Sequence, residues 1–351
     1  MYTPLMFAKN LDVETIPDKS GWKSVLRDCI ASPEETIDFL WTSDSLLKDG
    51  YVGPCERLNR ALLGHRKELY RCMTGDGTIP DKRDQDEAMA QESVSMFVVD
   101  NIWGKDKEVY RFDAELELAL TDCEEIKLPV RILDRLPYNC FYIEFAEDGI
   151  FKSNFDGSFV YVCPCKTGYI LVLQRVKDDG RSMFGHASLI PDDPTGTFLF
   201  GKKDFIAENG LDRNKDWGEF ACFILNALLY LCAENSEIRE NEGTKKTYHP
   251  GQTIKHKYCE IRKWDCEFRI VKDRKTTPAK KLNNNSERNK TSDNADKDNI
   301  TRNPVSPYTR RAHWHHYWTG KGRTELSLRW IAPTPCGYRD GNEPATVHVK
   351  S

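Results

Sequence analysis

Residues 309–330, near the C-terminus, hold the densest group of side chains that could do chemistry. The segment combines arginines, histidines and large aromatic residues with a glycine-containing turn. Guanidinium groups bind carboxylates and phosphates through paired donors, and imidazoles donate, accept or bind metals. This composition predicts an anion-binding site. The alternative is structural, with the histidines bonded to nearby backbone and the arginines solvated.

Alternation with a period of two predicts that this segment is a β-hairpin. The turn is expected at residues 319–322, where glycines reverse the chain easily. One face is expected to be apolar and to dock on the body, with Trp314 and Trp318 as its anchors. The other face is expected to be reactive. It comprises Arg311, His313, His315, Tyr317, Glu325, Ser327 and Arg329.

The hairpin supplies most of the candidate binding residues, and Arg269 of the preceding strand-like segment is added as a further guanidinium. The full set is Arg310, Arg311, His313, Trp314, His315, Tyr317, Trp318, Arg329 and Arg269. Arginines would hold carboxylate or carbonyl groups, and the aromatic rings would provide rigid contact area.

Two other kinds of site use the same histidines. In an RNA-cleaving enzyme, His313 and His315 would act as general acid and base, with Glu325 assisting and the arginines stabilising the phosphorane. In a metal site, His313, His315 and Glu325 would be ligands. Since no second catalytic motif accompanies these residues, binding is favoured over catalysis, and no cofactor is predicted.

Composition limits the class of protein. The chain has 351 residues and is 39% hydrophobic, which suffices for a proper core. Its N-terminus lacks an export signal, and no apolar run reaches the length of a membrane span, so a cytoplasmic location is expected. The 12 cysteines are therefore expected to be mostly reduced core residues. Basic residues accumulate after Lys245, which favours contact with RNA, the ribosome or an acidic peptide.

Periodicity predicts an α+β fold. A mainly helical region is expected over residues 1–127, including helices at 54–73, 85–103 and 108–123. Residues 128–272 are expected to form a mostly antiparallel sheet with one buried helix at 216–234. The polar residues 273–304 are predicted to be a linker or long loop. Residues 305–351 are then the C-terminal hairpin, docked on the sheet.

The run RRAHWHHYWTG (310–320), followed by a strand ending in Arg329-Trp330, resembles the C-terminal signature of a known family. This is the second-numbered family of type V-A anti-CRISPR proteins, carried on plasmids and phages. Weaker matches are LPYNCFYIEF (136–145), ALLYLCAE (227–234) and KWDCEFRI (263–270), in the same order. The first third, the many cysteines and the polar insertion depart from the family.

The resemblance implies an inhibitor of a bacterial type V-A effector nuclease. Such a protein would recognise the nascent N-terminal peptide of the effector and cause loss of its messenger RNA. The implied partner is that peptide or another host protein, with contact to the ribosome or RNA and none to a membrane. The bacterial host cytoplasm is the implied location.

Overall fold

The structure is a computed structural model. It describes residues 22–42, 83–152, 155–165, 168–177, 182–191, 196–201, 215–241, 261–267 and 308–336, together with Pro4 and Leu58. The predicted helix at 54–73, the linker at 273–304 and Arg269 lie outside the described residues.

Helices and strands follow one another in the order of an α+β chain, as predicted. The helices are α1 (Trp22–Ala31), α2 (Pro33–Thr42), α3 (Arg83–Asp106), α4 (Ala114–Thr121) and α5 (Lys215–Cys232), with a 3₁₀ helix at Val130–Arg135. The strands are β1 (Glu108–Phe112), β2 (Ile126–Pro129), β3 (Cys140–Glu144), β4 (Gly157–Cys165), β5 (Gly168–Val176), β6 (Ser182–Pro191), β7 (Thr197–Phe200), β8 (Glu237–Glu240), β9 (Arg262–Glu267), β10 (Tyr308–Arg310), β11 (His313–Thr319), β12 (Glu325–Ile331) and β13 (Thr334–Cys336).

A seven-stranded sheet forms the centre, in the order β6-β5-β4-β3-β1-β9-β8. Strand β1 pairs in parallel with β3 and β9, and the other neighbours pair antiparallel. The sheet is therefore mostly antiparallel, as the sequence predicts, with a parallel centre.

Alternating side chains divide the core between the two faces of this sheet. On β4, Phe159 and Tyr161 join the cluster formed with α1, α2 and α3, whereas Val160 and Val162 join the cluster formed with α4, α5 and the hairpin. Because both faces are covered, strands such as β4 are apolar along nearly their whole length.

Helix α5 is buried on all sides because it lies between the sheet and the C-terminal hairpin. Phe223 meets Phe112 of β1 edge to face at 5.6 Å between ring centroids. On the hairpin side, Tyr230 meets Trp330 at 5.6 Å. A helix with neighbours on opposite sides requires apolar residues around its whole axis, which explains its sequence.

The prediction of a helix over 108–123 is wrong for its first five residues. Glu108–Phe112 is the central strand of the sheet, and the helix begins only after Asp113, whose side chain accepts from the backbone N–H of Leu116 at 2.6 Å. Apolar residues at 109, 110 and 112 fit a strand buried on both faces as well as they fit a helix. The predicted helix at 85–103 is confirmed as α3.

No helix among the described residues is long and apolar enough to cross a membrane.

Candidate functional site

Strands β11 and β12 form the predicted hairpin. Trp314 lies opposite Trp330, His315 opposite Arg329 and Thr319 opposite Glu325. Residues 311 and 312 separate β10 from β11, and β10 pairs with β13 in the same register as β11 with β12. The four strands therefore form one two-stranded ribbon, with β10 and β13 at its base and the turn at its tip.

The turn depends on residues with a positive φ. Gly320 and Gly322 have φ values of 78° and 86°, and Arg323 has 55°. The N–H of Arg323 donates to the carbonyl oxygen of Gly320 at 3.1 Å. Glycine takes this conformation at little cost, which explains the two glycines at the end of the hairpin.

One face of the ribbon is buried against α5, which lies between the ribbon and the sheet. Leu328 is fully buried, and Trp314 keeps 7% of its surface exposed. The indole N–H of Trp314 donates to Oδ1 of Asn226 at 2.8 Å, and the Asn226 amide donates to the carbonyl oxygen of Leu120 at 3.0 Å. Asn226 thus joins the hairpin, α5 and the end of α4.

The outer edge of β12 is held by the residues that follow α5. The Glu234 N–H donates to the Leu328 carbonyl at 3.1 Å. The Asn235 side chain accepts from the Trp330 N–H at 2.9 Å and donates to its carbonyl at 2.8 Å. Arg135 donates to the carbonyl of Leu326. This set of contacts is called the edge clamp below.

The opposite face of β11 carries a row of rings. The His313 and His315 centroids lie 4.9 Å apart, and those of His315 and Tyr317 lie 5.9 Å apart. His315 Nδ1 contacts the Tyr317 hydroxyl at 2.9 Å. His313 Nδ1 lies 3.1 Å from the Arg311 carbonyl, which can only accept, so this bond requires the proton on Nδ1. We call His313, His315 and Tyr317 the ring strip.

Two arginines flank the ring strip and contact acidic groups of the body. Arg311 Nε lies 3.4 Å from Asp122, and Arg329 Nε lies 3.8 Å from Glu234. Both guanidinium groups are more than half exposed, so these ion pairs contribute only about 0–1 kcal/mol each and leave room for another anion. Ser327, expected on the reactive face, is instead buried and donates to Glu234 at 2.7 Å.

Residues 316–325 form an exposed tip. Tyr317 is 49% exposed on the face of the ring strip, and Trp318 is 46% exposed on the other face. The expectation that Trp318 anchors the ribbon is therefore wrong, because the tip extends past the packed part of the body. Trp314 is the anchor, and its burial removes it from the accessible contact area.

The alternative sites that include Glu325 are not assembled. Glu325 pairs with Thr319, four residues along β11 from His315, which corresponds to about 13 Å in a strand. Within the described residues, no group of three or more metal-binding side chains comes together. Arg310 is exposed at the base of the ribbon.

A family model matches residues 110–338, from the central strand β1 to just beyond β13. It describes the AcrVA2-like proteins, the anti-CRISPR type V subtype A2 family. This chain belongs to that family. Membership supports an anti-CRISPR inhibitor role directed at a host protein.

A solved structure of the same family was also found. The crystal structure of AcrVA2 is 15% identical to this chain, covering 95% of this chain and 99% of that chain, with a TM-score of 0.39. Comparison with curated proteins finds no match.

The sequence analysis missed the residues that position the hairpin in this family member, namely Arg135, Asn226, Glu234 and Asn235. One signal was available. Asn226 interrupts an otherwise apolar helix, and a buried amide requires partners. Asn235 carried no comparable signal, because an asparagine after a helix is ordinary.

Among the buried carboxyl groups of the described residues, Glu108 and Glu117 have a raised pKa. Burial raises the pKa of Glu117 to about 7, although its carboxylate accepts from the Phe151 N–H at 3.1 Å. Burial also raises the pKa of Glu108, which is paired with Arg262 and accepts from the Trp264 indole at 2.5 Å. Both groups are held by neighbours in the fold and serve structure.

Proposed function

We propose that this chain inhibits a bacterial type V-A effector nuclease during its synthesis. It recognises the nascent N-terminal peptide of the effector and causes loss of the effector's messenger RNA, with the hairpin as the recognition surface. Family membership supports the inhibitory role. The observation that carries the peptide role is the partly exposed ring strip on a ribbon whose other face is buried at Trp314 and Leu328.

The chemistry of the hairpin suits a peptide. Arg311 and Arg329 offer donors to carboxylate and carbonyl oxygens, and Tyr317 and Trp318 offer exposed aromatic area of the kind enriched at interfaces. Ring contacts along the strip restrict the side chains of His313, His315 and Tyr317 before binding, which lowers the entropy lost when a partner binds.

The tip of the ribbon suits the surroundings of a nascent chain. Lys321 and Arg323 are exposed cations at the tip, Arg310 is an exposed cation at the base, and ribosomal RNA is a dense anion. Contact with the ribosome or with messenger RNA in the bacterial cytoplasm belongs to the same proposal.

The first experiment separates recognition from direct cleavage. Purified protein is incubated with effector messenger RNA alone and, in parallel, with a bacterial extract translating that RNA. We expect intact RNA in the first sample and loss of the RNA in the second. Cleavage without ribosomes would instead favour the enzyme alternative that uses His313 and His315.

The second experiment tests the hairpin. The double variant Arg311→Ala/His313→Ala should lose capture of a synthetic peptide with the effector's N-terminal sequence, because both groups face the partner. Arg239→Ala is the matched control, since Arg239 is also a half-exposed arginine beside a carboxylate, on strand β8. Unchanged capture by the double variant would exclude the ring strip as the binding surface.

A further inference from the structure

Strand β11 has an open backbone edge. On β12, the carbonyls of Leu326 and Leu328 and both backbone groups of Trp330 are bonded to the edge clamp, on the side away from β11. In an antiparallel pair, directly opposed residues share the same orientation of their backbone groups. The N–H and carbonyl groups of Trp314, His316 and Trp318 therefore point away from β12.

No described residue pairs with this edge, since β11 and β12 form a two-stranded sheet. At His316 and Trp318 the surrounding side chains are exposed. Protected edges usually carry proline, lysine or a bulge, and β11 has none of them. Within the described part of the chain the two edges of the hairpin thus differ, because one is clamped to the body and the other has no backbone partner.

The charges around the edge indicate the occupant. Residues 310–325 contain four cations, Arg310, Arg311, Lys321 and Arg323, and one carboxylate, Glu325. Rings lie on both faces, with the half-buried His315 and the exposed Tyr317 on one and the exposed Trp318 on the other. An extended peptide added to this edge would place alternate side chains against each face.

We infer that the partner peptide binds as a third strand on the open edge of β11, with its backbone paired to His316 and Trp318. Acidic side chains of this peptide lie near the cations of the ribbon. The inference rests on the proposed function, because it takes the effector's nascent N-terminal segment as the peptide. It adds the mode of binding, in which main-chain hydrogen bonds supply affinity and alternate side chains supply specificity.

The protein-side test compares His316→Pro with His316→Ala. Proline removes the outward N–H of residue 316, which does not pair with β12, and edge strands tolerate proline. Alanine keeps that N–H and is the matched control. The probe is a fluorescent peptide with the N-terminal sequence of a type V-A effector nuclease, titrated with the full chain.

We expect His316→Ala to bind within about threefold of the unmodified chain, and His316→Pro to lose about tenfold or more. Circular dichroism and tryptophan fluorescence check that both variants are folded. Equal binding by the two variants would overturn the inference.

The peptide-side test uses the unmodified chain and so does not depend on any variant folding. Single N-methyl groups are placed at successive residues of the probe. Third-strand binding predicts a period of two, because only alternate peptide N–H groups face β11. A flat or irregular profile with tight binding of the parent peptide would overturn the inference and leave the proposed function intact.

The remaining outcomes are also decisive. Absence of binding by the parent peptide would contradict both the inference and the proposed function. Dimerisation of the full chain that His316→Pro abolishes would assign the edge to a second copy, and displacement of the probe by single-stranded RNA would assign it to nucleic acid. Either result overturns the inference.

Discussion

At the scale of single residues, Asn226 determines how the hairpin meets the body. It is fully buried, and its oxygen receives the Trp314 indole N–H while its amide donates to Leu120 and to Cys222. A buried donor left without an acceptor is far more costly than an average hydrogen bond is stabilising. The hydrogen bonds of the Asn226 side chain therefore act together with the apolar packing around it to hold the hairpin on the body.

Replacing Asn226 by leucine should lower the free energy of unfolding by about 2 kcal/mol, because the Trp314 indole N–H is left buried and unpaired. Urea denaturation measures this change. Asn101→Leu is the control, since Asn101 makes a local bond to the Phe97 carbonyl at 2.7 Å in a half-exposed position, and a loss below about 1 kcal/mol is expected there. Equal effects of the two substitutions would contradict a special role for Asn226.

Glu117 is the second residue with consequences for the whole protein. Its carboxyl group lies under the turn at 146–151, where it accepts from the N–H groups of Ala146 and Phe151. A Cβ on Gly149 would come within 2.6 Å of the carboxylate oxygens, so only glycine fits there without movement. Desolvation outweighs the hydrogen bonds and raises the pKa to about 7.

The raised pKa makes stability depend on pH. The folded protein holds the Glu117 proton up to about pH 7, whereas the unfolded chain releases it near the ordinary value of 4.5. Stability from this group is therefore present in full below pH 4.5 and is lost as pH rises to 7. Urea denaturation across this range should show a loss of roughly 3 kcal/mol relative to Glu117→Gln, which cannot titrate. If the free energy of unfolding changed with pH in the same way in both proteins, Glu117 would not be the source of the pH dependence.

At the scale of elements, the hairpin is a ribbon held along one edge and one face. Strand β12 is attached by the edge clamp, and Trp314 of β11 is attached through Asn226. The tip and the outer edge of β11 project from this attachment. This geometry exposes recognition groups on a rigid support, which lowers the cost of ordering them on binding.

Asn235→Ala should loosen the hairpin without unfolding the protein, because it removes both side-chain bonds to Trp330. Amide hydrogen exchange of β12 should accelerate by about tenfold or more, corresponding to one or two lost hydrogen bonds. Ser236→Ala is the control, since Ser236 bonds only to the Ala233 carbonyl at 3.1 Å among the contacts described. Unchanged protection of the Trp330 N–H would show that the clamp does not hold the strand.

At the scale of the whole molecule, the central sheet is covered on both faces. Helices α1 to α3 cover the face that carries Val109, Tyr142 and Phe159. The family match begins at residue 110, within β1 and after these helices. Residues 110–338, which the family model matches, therefore do not include the three helices that cover one face of the sheet.

A fragment of residues 108–351 should accordingly expose that apolar face. Each fully buried large apolar side chain contributes about 1.5–3 kcal/mol, so the loss of three helices exceeds the usual stability of a domain. We expect aggregation in size-exclusion chromatography and strong binding of an apolar dye. A fragment of residues 83–351, which keeps α3, should show intermediate aggregation and dye binding. A fragment of residues 108–351 that is monomeric and does not bind the dye would contradict this prediction.

Local sequence patterns were sufficient to predict the elements whose structure depends mainly on neighbouring residues. The alternation from Arg311 to Trp330, the glycines of the turn and the all-round apolar character of α5 each specify an element through short-range geometry. The hairpin, the side-chain parity of its two faces and the α+β class were therefore predictable. The strand β1 was not, because a short apolar run buried on both sides has no distinctive period.

By itself, the sequence determined which face of the ribbon carries the rings and where the chain reverses, because side-chain parity and glycine conformation are local properties. Tertiary structure decided how far the body reaches along the ribbon, so that Trp314 is buried and Trp318 exposed although both have the same parity. It also decided that the edge of β12 is clamped, whereas none of the described residues pairs with the outer edge of β11. Those outcomes depend on Asn226, Glu234 and Asn235, which are distant from the hairpin in the chain and reach it only through folding.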